Sequence, residues 1–436
     1  MPMFRLSFIY KTIFSFIFFL PFFSFSQTIN SYNKDNFLEQ LNRDFNAFGI
    51  QATEKELLEN TRQNFINKIK EDSKDYFIEI INYSKANGQD ELLSFLYYTN
   101  WLLNNNIKSS SSIEKILMYH YYDLYNPKEN SKNYFFSLWD IITNKVIANE
   151  TSFTVSVKDN FKVGVEDFLD FGLYDNTGTI LGTLVFSFLS SDIFITSEFN
   201  DFKIERPNFN YFPDVSVIDG VKGKVTSIVK NRYLGEVEFL LQNFTVDLKS
   251  GKLVSNESVL NSNKLKGIKG SLEYQPSKNK PKHNNQFNFL SDNSDKEIII
   301  KKNTKLKTGI SIEGDLFYSK SLSGKESELL FLIDNEKKIS IKSKSFLIDD
   351  NKISSSATRF NLYYNKDSIY HPLVEFSFDL ESNKIQTLNI EGVLKNTPFY
   401  SSFFNIELDP DQLTYTIGED IIYFNMIIAP SQRPLN

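Results

Sequence analysis

The chain of 436 residues contains no cysteine, only three histidines and only two tryptophans. The absence of Cys excludes disulfides, thiolate zinc sites, iron–sulfur clusters and a cysteine nucleophile. Three His cannot supply a His-rich metal site. A net charge of −6 lacks the basic excess of a nucleic-acid-binding surface, so we expect no nucleic-acid partner. With 41% hydrophobic and 23% charged residues, the chain is globular in composition.

Residues 1–26 have the pattern of a secretory signal peptide. Arg5 and Lys11 precede an uncharged apolar run that begins at Thr12, and Ser24 and Ser26 place small residues at the −3 and −1 positions of a cleavage site. The run is shorter than the roughly 20 residues of a membrane-spanning helix, although an uncleaved anchor is the alternative. No later apolar run reaches that length. We therefore expect an exported protein, periplasmic or extracellular, with no transmembrane helix in the mature chain.

Glycine and proline divide the chain near residue 150. Residues 28–150 contain two Gly and one Pro, whereas 15 Gly and nine Pro follow from residue 151 onward. In the first part apolar residues recur at helical spacing, and Thr53–Glu56 and Ser111–Glu114 fit the capping box that starts a helix. These features predict a bundle of six helices over residues 28–150. A short stack of helical repeats is the alternative, although no repeat signature is present.

From Thr151 the apolar residues alternate with polar ones at a period of two, which is typical of strands. The phase slips by one residue at Gln242-Asn243, which predicts a β-bulge. The predicted fold class is α+β, with the N-terminal helical bundle followed by a mainly antiparallel β-rich body over 151–428. A meander or sandwich is favoured, with a β-solenoid as the alternative. The Pro/Lys/Asn-rich stretch 275–296 is predicted to be a loop or a boundary between two β units, and residues 429–436 a C-terminal tail.

Two segments carry a resemblance. Asp367–Pro372 and Asn396–Ser402 are similar to segments of very large secreted bacterial proteins of unknown function with β-rich bodies. The likeness covers about residues 230–428. It implies a secreted, non-enzymatic β protein and carries over no catalytic, cofactor-binding or metal-binding residue.

His371 is the most suggestive titratable residue, because Asp367 and Ser368 lie close to it in sequence. A hydrolase needs a Ser, a His and an acid that converge in space. The chain has no G-x-S-x-G motif, and residues 368 and 371 of a strand point to opposite faces. We therefore interpret His371 as a structural residue at the start of a strand, before a Pro that keeps the backbone extended.

Other polar and aromatic groups also have structural interpretations. His120 lies among Tyr119, Tyr121, Tyr122 and Tyr125, which form either an aromatic binding wall or, as we favour, an aromatic core. His283 is expected to be solvated in a Lys-rich loop.

Two short acidic segments and one basic run also have structural interpretations. Asp409–Asp411 and Gly418–Asp420 are interpreted as turns rather than calcium ligands. The basic run Lys301–Lys307 could touch anionic lipid or polysaccharide, but an edge strand protected by Lys is favoured.

These interpretations leave no catalytic, cofactor-binding or metal residue to assign, and we expect no enzyme and no cofactor. The 42 Phe residues favour large buried sheets over a sugar-binding platform. The predicted function is an exported, non-catalytic structural or binding protein of the bacterial envelope, with envelope protein, lipid or polysaccharide as partner. One alternative is a lipid or glycolipid carrier with an apolar β groove. The other is a secreted hydrolase that uses carboxylates.

Overall fold

The structure is a computed structural model of the chain. It describes residues 31–47, 52–109, 111–125, 134–166, 173–174, 180–198, 201–226, 231, 233–276, 287–292, 296–320, 324–334, 336–389 and 397–426. Contacts within this part divide into two compact units. The helical unit extends to Asn105 and includes Ile113–Trp139, and the β unit consists of Asn106–Ser112 and the chain from Asp140 onward.

The described part of the helical region contains six α-helices, as predicted. Five of them contribute one buried Phe each to a continuous column of rings, with neighbouring centroids 4.7 to 5.4 Å apart: Phe37, Phe65, Phe77, Phe95 and Phe135. These rings stabilise the packing of the five helices because each aromatic side chain buries a large apolar area. The helices are α1 (Phe37–Ala47), α2 (Ala52–Asn67), α3 (Glu71–Asn87), α4 (Gln89–Trp101), α5 (Ile113–Tyr125) and α6 (Tyr134–Asn144).

The rest of the described chain is a network of strands in which every strand-to-strand pairing is antiparallel. The predicted antiparallel body is therefore confirmed, and the sheet is open within the described residues. The strands are β1 (Val146–Asn149), β2 (Phe153–Val157), β3 (Lys162–Glu166), β4 (Leu173–Tyr174), β5 (Ile180–Phe188), β6 (Ile193–Ser197), β7 (Asp201–Glu205), β8 (Asn208–Phe212), β9 (Val217–Thr226), β10 (Val237–Asp247), β11 (Lys252–Ser262), β12 (Ile268–Tyr274), β13 (Phe287–Ser291), β14 (Lys296–Lys301), β15 (Thr304–Thr308), β16 (Ser311–Glu313), β17 (Leu316–Tyr318), β18 (Ser327–Ile333), β19 (Glu336–Ser343), β20 (Leu347–Ile348), β21 (Lys352–Tyr364), β22 (Asp367–Asp379), β23 (Lys384–Asn389), β24 (Phe399–Ser401), β25 (Ile406–Leu408), β26 (Gln412–Thr416) and β27 (Ile422–Asn425).

The sheet forks at β9. The first half of β9 pairs with β8 and its last residues pair with β7, while β10 pairs along its whole opposite edge. One branch continues through β8, β5 and β3, and the other through β7, β6, β2 and β1. The β7 branch also contacts the strands that follow β10, because Phe202 in β7 packs against Tyr274 in β12 and Phe287 in β13. The Phe202 ring lies 4.2 Å from that of Tyr274 and 5.5 Å from that of Phe287, centroid to centroid.

The predicted bulge lies at the fork. The pairing of β10 with β11 shifts register on both sides of Asn243, so the bulge at Gln242-Asn243 is confirmed. The extra residue restores the side-chain phase, so Leu241 before it and Phe244 after it are both buried. A long strand can therefore serve both branches of the sheet and keep its apolar residues inside.

A second fork is formed by β21 and β22. The first half of β21 pairs with β20 and its second half with β19. The first half of β22 pairs with β24 and its second half with β23. The β19 side and the β23 side of this fork are in contact. The Phe331 ring in β18, the strand next to β19, lies 4.8 Å from the Phe378 ring in the half of β22 that pairs with β23.

The boundaries differ in detail from those expected from the sequence. The first strand, β1, lies inside the range 28–150, because Lys145 adopts a left-handed conformation (φ 59°) that ends α6. The stretch 275–296 contains β13, which pairs with β12 and β16. Residues 277–286 and 293–295 of that stretch, the predicted signal peptide and the tail 429–436 lie outside the described residues.

Candidate functional site

His371 lies within β22 rather than at the start of a strand, and its ring is buried. Its Nε2 donates to the Thr397 carbonyl (2.8 Å), and its Nδ1 accepts from the Leu373 N–H (3.1 Å). Burial lowers the pKa of His371 below its ordinary value, although the bond to Thr397 acts in the opposite direction. Both ring nitrogens are satisfied by backbone groups, which is the arrangement of a structural histidine.

The neighbouring hydrolase candidates have other partners. Asp367 Oδ1 accepts from the hydroxyl of Ser402 (3.0 Å), and the Ser368 N–H donates to the same Ser402 oxygen (2.9 Å). Cross-strand register places Ser368 opposite Tyr363 and His371 opposite Phe360. The structure therefore brings Asp367 and Ser368 to Ser402 and does not bring either of them to His371.

His120 lies at the centre of a buried aromatic cluster. Its two ring nitrogens are each 2.9 Å from a tyrosine hydroxyl, that of Tyr98 on one side and that of Tyr134 on the other. Burial lowers the pKa of His120 to about 3, so the ring is neutral at physiological pH. The core interpretation fits Tyr119, which is also fully buried, whereas the side chain of Tyr125 is not described.

Glu91 was missed by sequence reasoning and is only 1% exposed. Its carboxylate accepts from the N–H groups of Phe135 (2.7 Å) and Phe136 (3.0 Å) at the start of α6. Burial raises the pKa of Glu91, while these two bonds act to lower it. A carboxylate from α4 thus caps α6, where free N–H groups and the helix dipole favour negative charge.

The charged segments occupy turns and a hairpin. Asp409–Asp411 lies between β25 and β26, and Gly418–Asp420 lies between β26 and β27. Within the residues that the structure describes, no three His, Asp or Glu side chains are grouped so that they could hold a metal ion. The run Lys301–Lys307 spans the end of β14 and most of β15. Because β15 pairs with β14 on one side and with β18 on the other, the expected edge strand is wrong for β15. Lys305 pairs with Glu297 (2.8 Å).

A shallow depression of about 340 Å³ lies over β6, β7 and the end of β9. Its cation is Lys203, whose ammonium pairs with Asp192 (2.8 Å) and approaches Glu205 (3.8 Å). Because the positive charge is already balanced, the depression has no free charge with which to select an anion. It mixes Phe with Thr, Lys and acidic residues and does not form the apolar groove that a lipid carrier needs.

Three exposed aromatic side chains lie together where two hairpins end. Tyr364 is the last residue of β21, and Phe403 and Phe404 lie in the turn between β24 and β25. Ring centroids are 6.4 Å apart for Tyr364 and Phe403 and 4.7 Å apart for the two phenylalanines. Their exposed fractions are 64%, 60% and 68% in chain order. We call these three residues the aromatic tip.

Hydrogen bonds fix the turn that carries Phe403 and Phe404 to the neighbouring hairpin of β21 and β22. The Ser402 N–H donates to the Ser368 carbonyl (3.0 Å), in addition to the bonds from the Ser402 hydroxyl already described. On the other side of the turn the Tyr400 hydroxyl donates to Asn405 Oδ1 (3.1 Å). Asn405 has a positive φ of 48°, a conformation that Asn tolerates better than most residues. The rings of Phe403 and Phe404 are therefore held on a defined turn.

Sequence reasoning missed the aromatic tip, although one signal was available. Turns between strands favour Gly, Asn, Asp, Ser and Pro, so two consecutive Phe between Ser402 and Asn405 are unusual. Tyr364 offered no such signal. Tyr364 continues the alternation of Phe360 and Leu362, which predicts a buried residue. It is exposed because β21 ends at this position.

No protein-family model matches the chain, and neither a curated protein nor a solved structure matches it. The likeness of residues 230–428 to very large secreted proteins therefore remains a prediction. Among the described helices, none combines the length and the apolar character needed to cross a bilayer.

Proposed function

We propose that the chain is an exported, non-catalytic binding protein of the bacterial envelope and that the aromatic tip is its binding surface. The observation that carries this proposal is the exposure of three adjacent aromatic rings, two of which lie on a hydrogen-bonded turn. The signal-peptide pattern of residues 1–26 supports the envelope as the compartment.

The aromatic tip is not needed to pack its own hairpin. Phe399 in β24 already supplies a buried ring, which lies 4.5 Å from the His371 ring and 6.2 Å from the Phe360 ring. Clusters of exposed apolar side chains on a soluble surface commonly mark binding sites, because water solvates them poorly. The rings of the aromatic tip therefore have a use outside the fold, and contact with a partner is the simplest one.

The two histidines that the structure describes support the non-catalytic part of the proposal. In both His120 and His371 each ring nitrogen already has a hydrogen-bond partner, and both rings are buried. A general acid or base needs an accessible nitrogen and a pKa near the working pH, whereas burial lowers the pKa of both residues.

The test is sedimentation of the purified exported protein with whole envelope fragments that contain membrane and cell wall. The wild-type protein is expected to pellet with the fragments, and the double variant Phe403→Ser/Phe404→Ser is expected to stay largely in the supernatant. The matched control is Leu189→Ser/Ile299→Ser, which removes two apolar side chains that are 76% and 66% exposed elsewhere on the β unit. Equal pelleting of both double variants would contradict the proposal.

A further inference from the structure

We infer that the aromatic tip inserts into the interface of a lipid bilayer, an inference that rests on the proposed function and names the partner. The tip offers aromatic rings at the end of two hairpins, and the polar groups of Ser368 and Ser402 at its base are bonded within the protein. Three features favour lipid over a protein or a polysaccharide partner: the area of the tip, the bonding of the polar groups at its base, and the layering of its side chains.

The area is too small for a protein interface. A whole aromatic side chain contributes roughly 150–250 Å², so three rings that are 60–68% exposed present roughly 290–480 Å². A stable protein–protein interface needs about 800 Å² on each partner. Of the exposed residues that would have to complete such a contact, Lys366, Asn405 and Glu407 are polar, and Tyr400 and Ile406 are only 41% and 42% exposed. A bilayer needs no complementary surface.

The polar groups at the base of the aromatic tip are already satisfied. The N–H groups of Ser368 and Ser402 donate to partners in the neighbouring hairpin, and the Ser402 hydroxyl donates to the Asp367 carboxylate. Polar groups without such partners are costly to move out of water. Because these groups have partners, the turn can enter a region of low water content without leaving them unpaired.

The exposed side chains are layered. Phe403 and Phe404, which carry no polar atom, lie in the turn itself. Tyr400 and Ile406, which are 41% and 42% exposed, lie on the strands that lead to the turn. Aromatic residues with a hydroxyl favour the headgroup level of a membrane, and purely apolar rings favour a deeper position. This order is the one expected of a shallow membrane-inserting loop.

Charge has a minor part in the inferred contact. Lys366, in the turn after Tyr364, is the basic residue closest in sequence to the aromatic tip and is exposed. A long Lys side chain can reach lipid phosphate while its neighbours lie deeper. With so little positive charge at the tip, binding is expected to depend on apolar contact and only weakly on salt.

The experiment is flotation of the exported protein with vesicles of phosphatidylcholine alone and of phosphatidylethanolamine with phosphatidylglycerol. The wild-type protein is expected to float with both. Phe403→Ser/Phe404→Ser is expected to lower the partition coefficient at least about tenfold, because two apolar rings no longer leave water. Leu189→Ser/Ile299→Ser is expected to bind as the wild type does, and added salt is expected to weaken binding less than about threefold.

A spectroscopic variant reports contact directly. Phe404→Trp keeps an aromatic ring that suits the interface, so this variant is expected to bind vesicles, to shift its emission to the blue and to be quenched by brominated lipid. Trp101 and Trp139 lie in the helical unit, so the wild-type protein supplies the background spectrum.

The outcomes separate the inference from the proposed function. Pelleting with envelope fragments that depends on Phe403 and Phe404, without flotation on either vesicle, would overturn the lipid inference and would leave the proposed function standing with a protein or polysaccharide partner. Flotation that the double Ser variant does not weaken would also overturn the inference. Failure in both assays would overturn both proposals.

Discussion

At the scale of single residues, burial decides what the histidines can do. His120 bridges the hydroxyls of Tyr98 and Tyr134 as a neutral ring, and protonation would require a charged imidazolium in the core of the helical unit. Its pKa falls from about 6.5 to about 3 on folding. The ordinary value applies to the unfolded chain, so the unfolded state takes up a proton first as the pH falls.

We predict that the free energy of unfolding of the helical unit decreases as the pH falls from about 6.5 towards 3. The contribution of His120 has a slope of up to about 1.4 kcal/mol per pH unit in that window. In His120→Gln the stability at pH 7 is expected to fall by about 1–3 kcal/mol, because at least one buried tyrosine hydroxyl loses its partner. The slope below pH 6.5 is expected to become shallower, because Gln does not titrate.

Denaturant unfolding followed by tryptophan fluorescence measures this effect, since both tryptophans lie in the helical unit. His371→Gln is the control, because His371 lies in the β unit and its loss should leave the tryptophan-detected profile unchanged. A slope in His120→Gln equal to that of the wild type would refute the prediction.

At the scale of elements, turns set the strand pairing, and glycine matters where the backbone has no room for a side chain. Gly251 closes the turn between β10 and β11 with φ 69°, and a Cβ there would lie 2.7 Å from Pro276 and 3.0 Å from Phe153. Gly267, before β12, has nearly the same φ of 67° and nothing within 4 Å of such a Cβ. The two glycines share the backbone conformation and differ in the space around them.

We predict that Gly267→Ala costs about 1–2 kcal/mol of stability, the cost of a left-handed conformation for a residue with a Cβ. Gly251→Ala is expected to cost a further 1–3 kcal/mol, roughly, because Pro276 and Phe153 must move. Thermal unfolding followed by circular dichroism in the β region compares the two variants directly. Equal losses would mean that crowding at Gly251 does not contribute.

The elements show where sequence reasoning succeeds and where it stops. The phase change between Leu241 and Phe244 predicts a bulge without any knowledge of the partner strand, because side-chain alternation is a local property. The forks depend on pairings between distant strands, such as β2 with β6 and β5 with β8, and no local pattern specifies them. The aromatic tip depends in the same way on the pairing of β22 with β24, which brings the turn of Phe403 and Phe404 to Tyr364, so the candidate site could be predicted only in part.

At the scale of the whole molecule, the proposed function depends on export, because a binding surface for the envelope is of use only beyond the cytoplasm. A chain without Cys requires no disulfide formation after export, so it relies on its core for stability. That core contains rings such as Phe77 in the helical unit and Phe239 in the β unit, both nearly inaccessible to solvent. Each unit thus has its own buried aromatic residues.

The predicted export leads to a test with two matched variants. When the full-length chain is produced in a bacterial host, the exported protein is expected to begin at Gln27, because Ser24 and Ser26 supply the small residues that the signal peptidase requires. Ser26→Leu is expected to block cleavage and to keep the uncut chain in the membrane fraction. Ser15→Leu, which lies inside the apolar run and leaves the cleavage site intact, is expected to be processed normally.

Intact mass measurement of the soluble and membrane fractions distinguishes these products. Uncut wild-type chain in the membrane would establish an uncleaved anchor, and the aromatic tip would then act on a protein already attached to a bilayer.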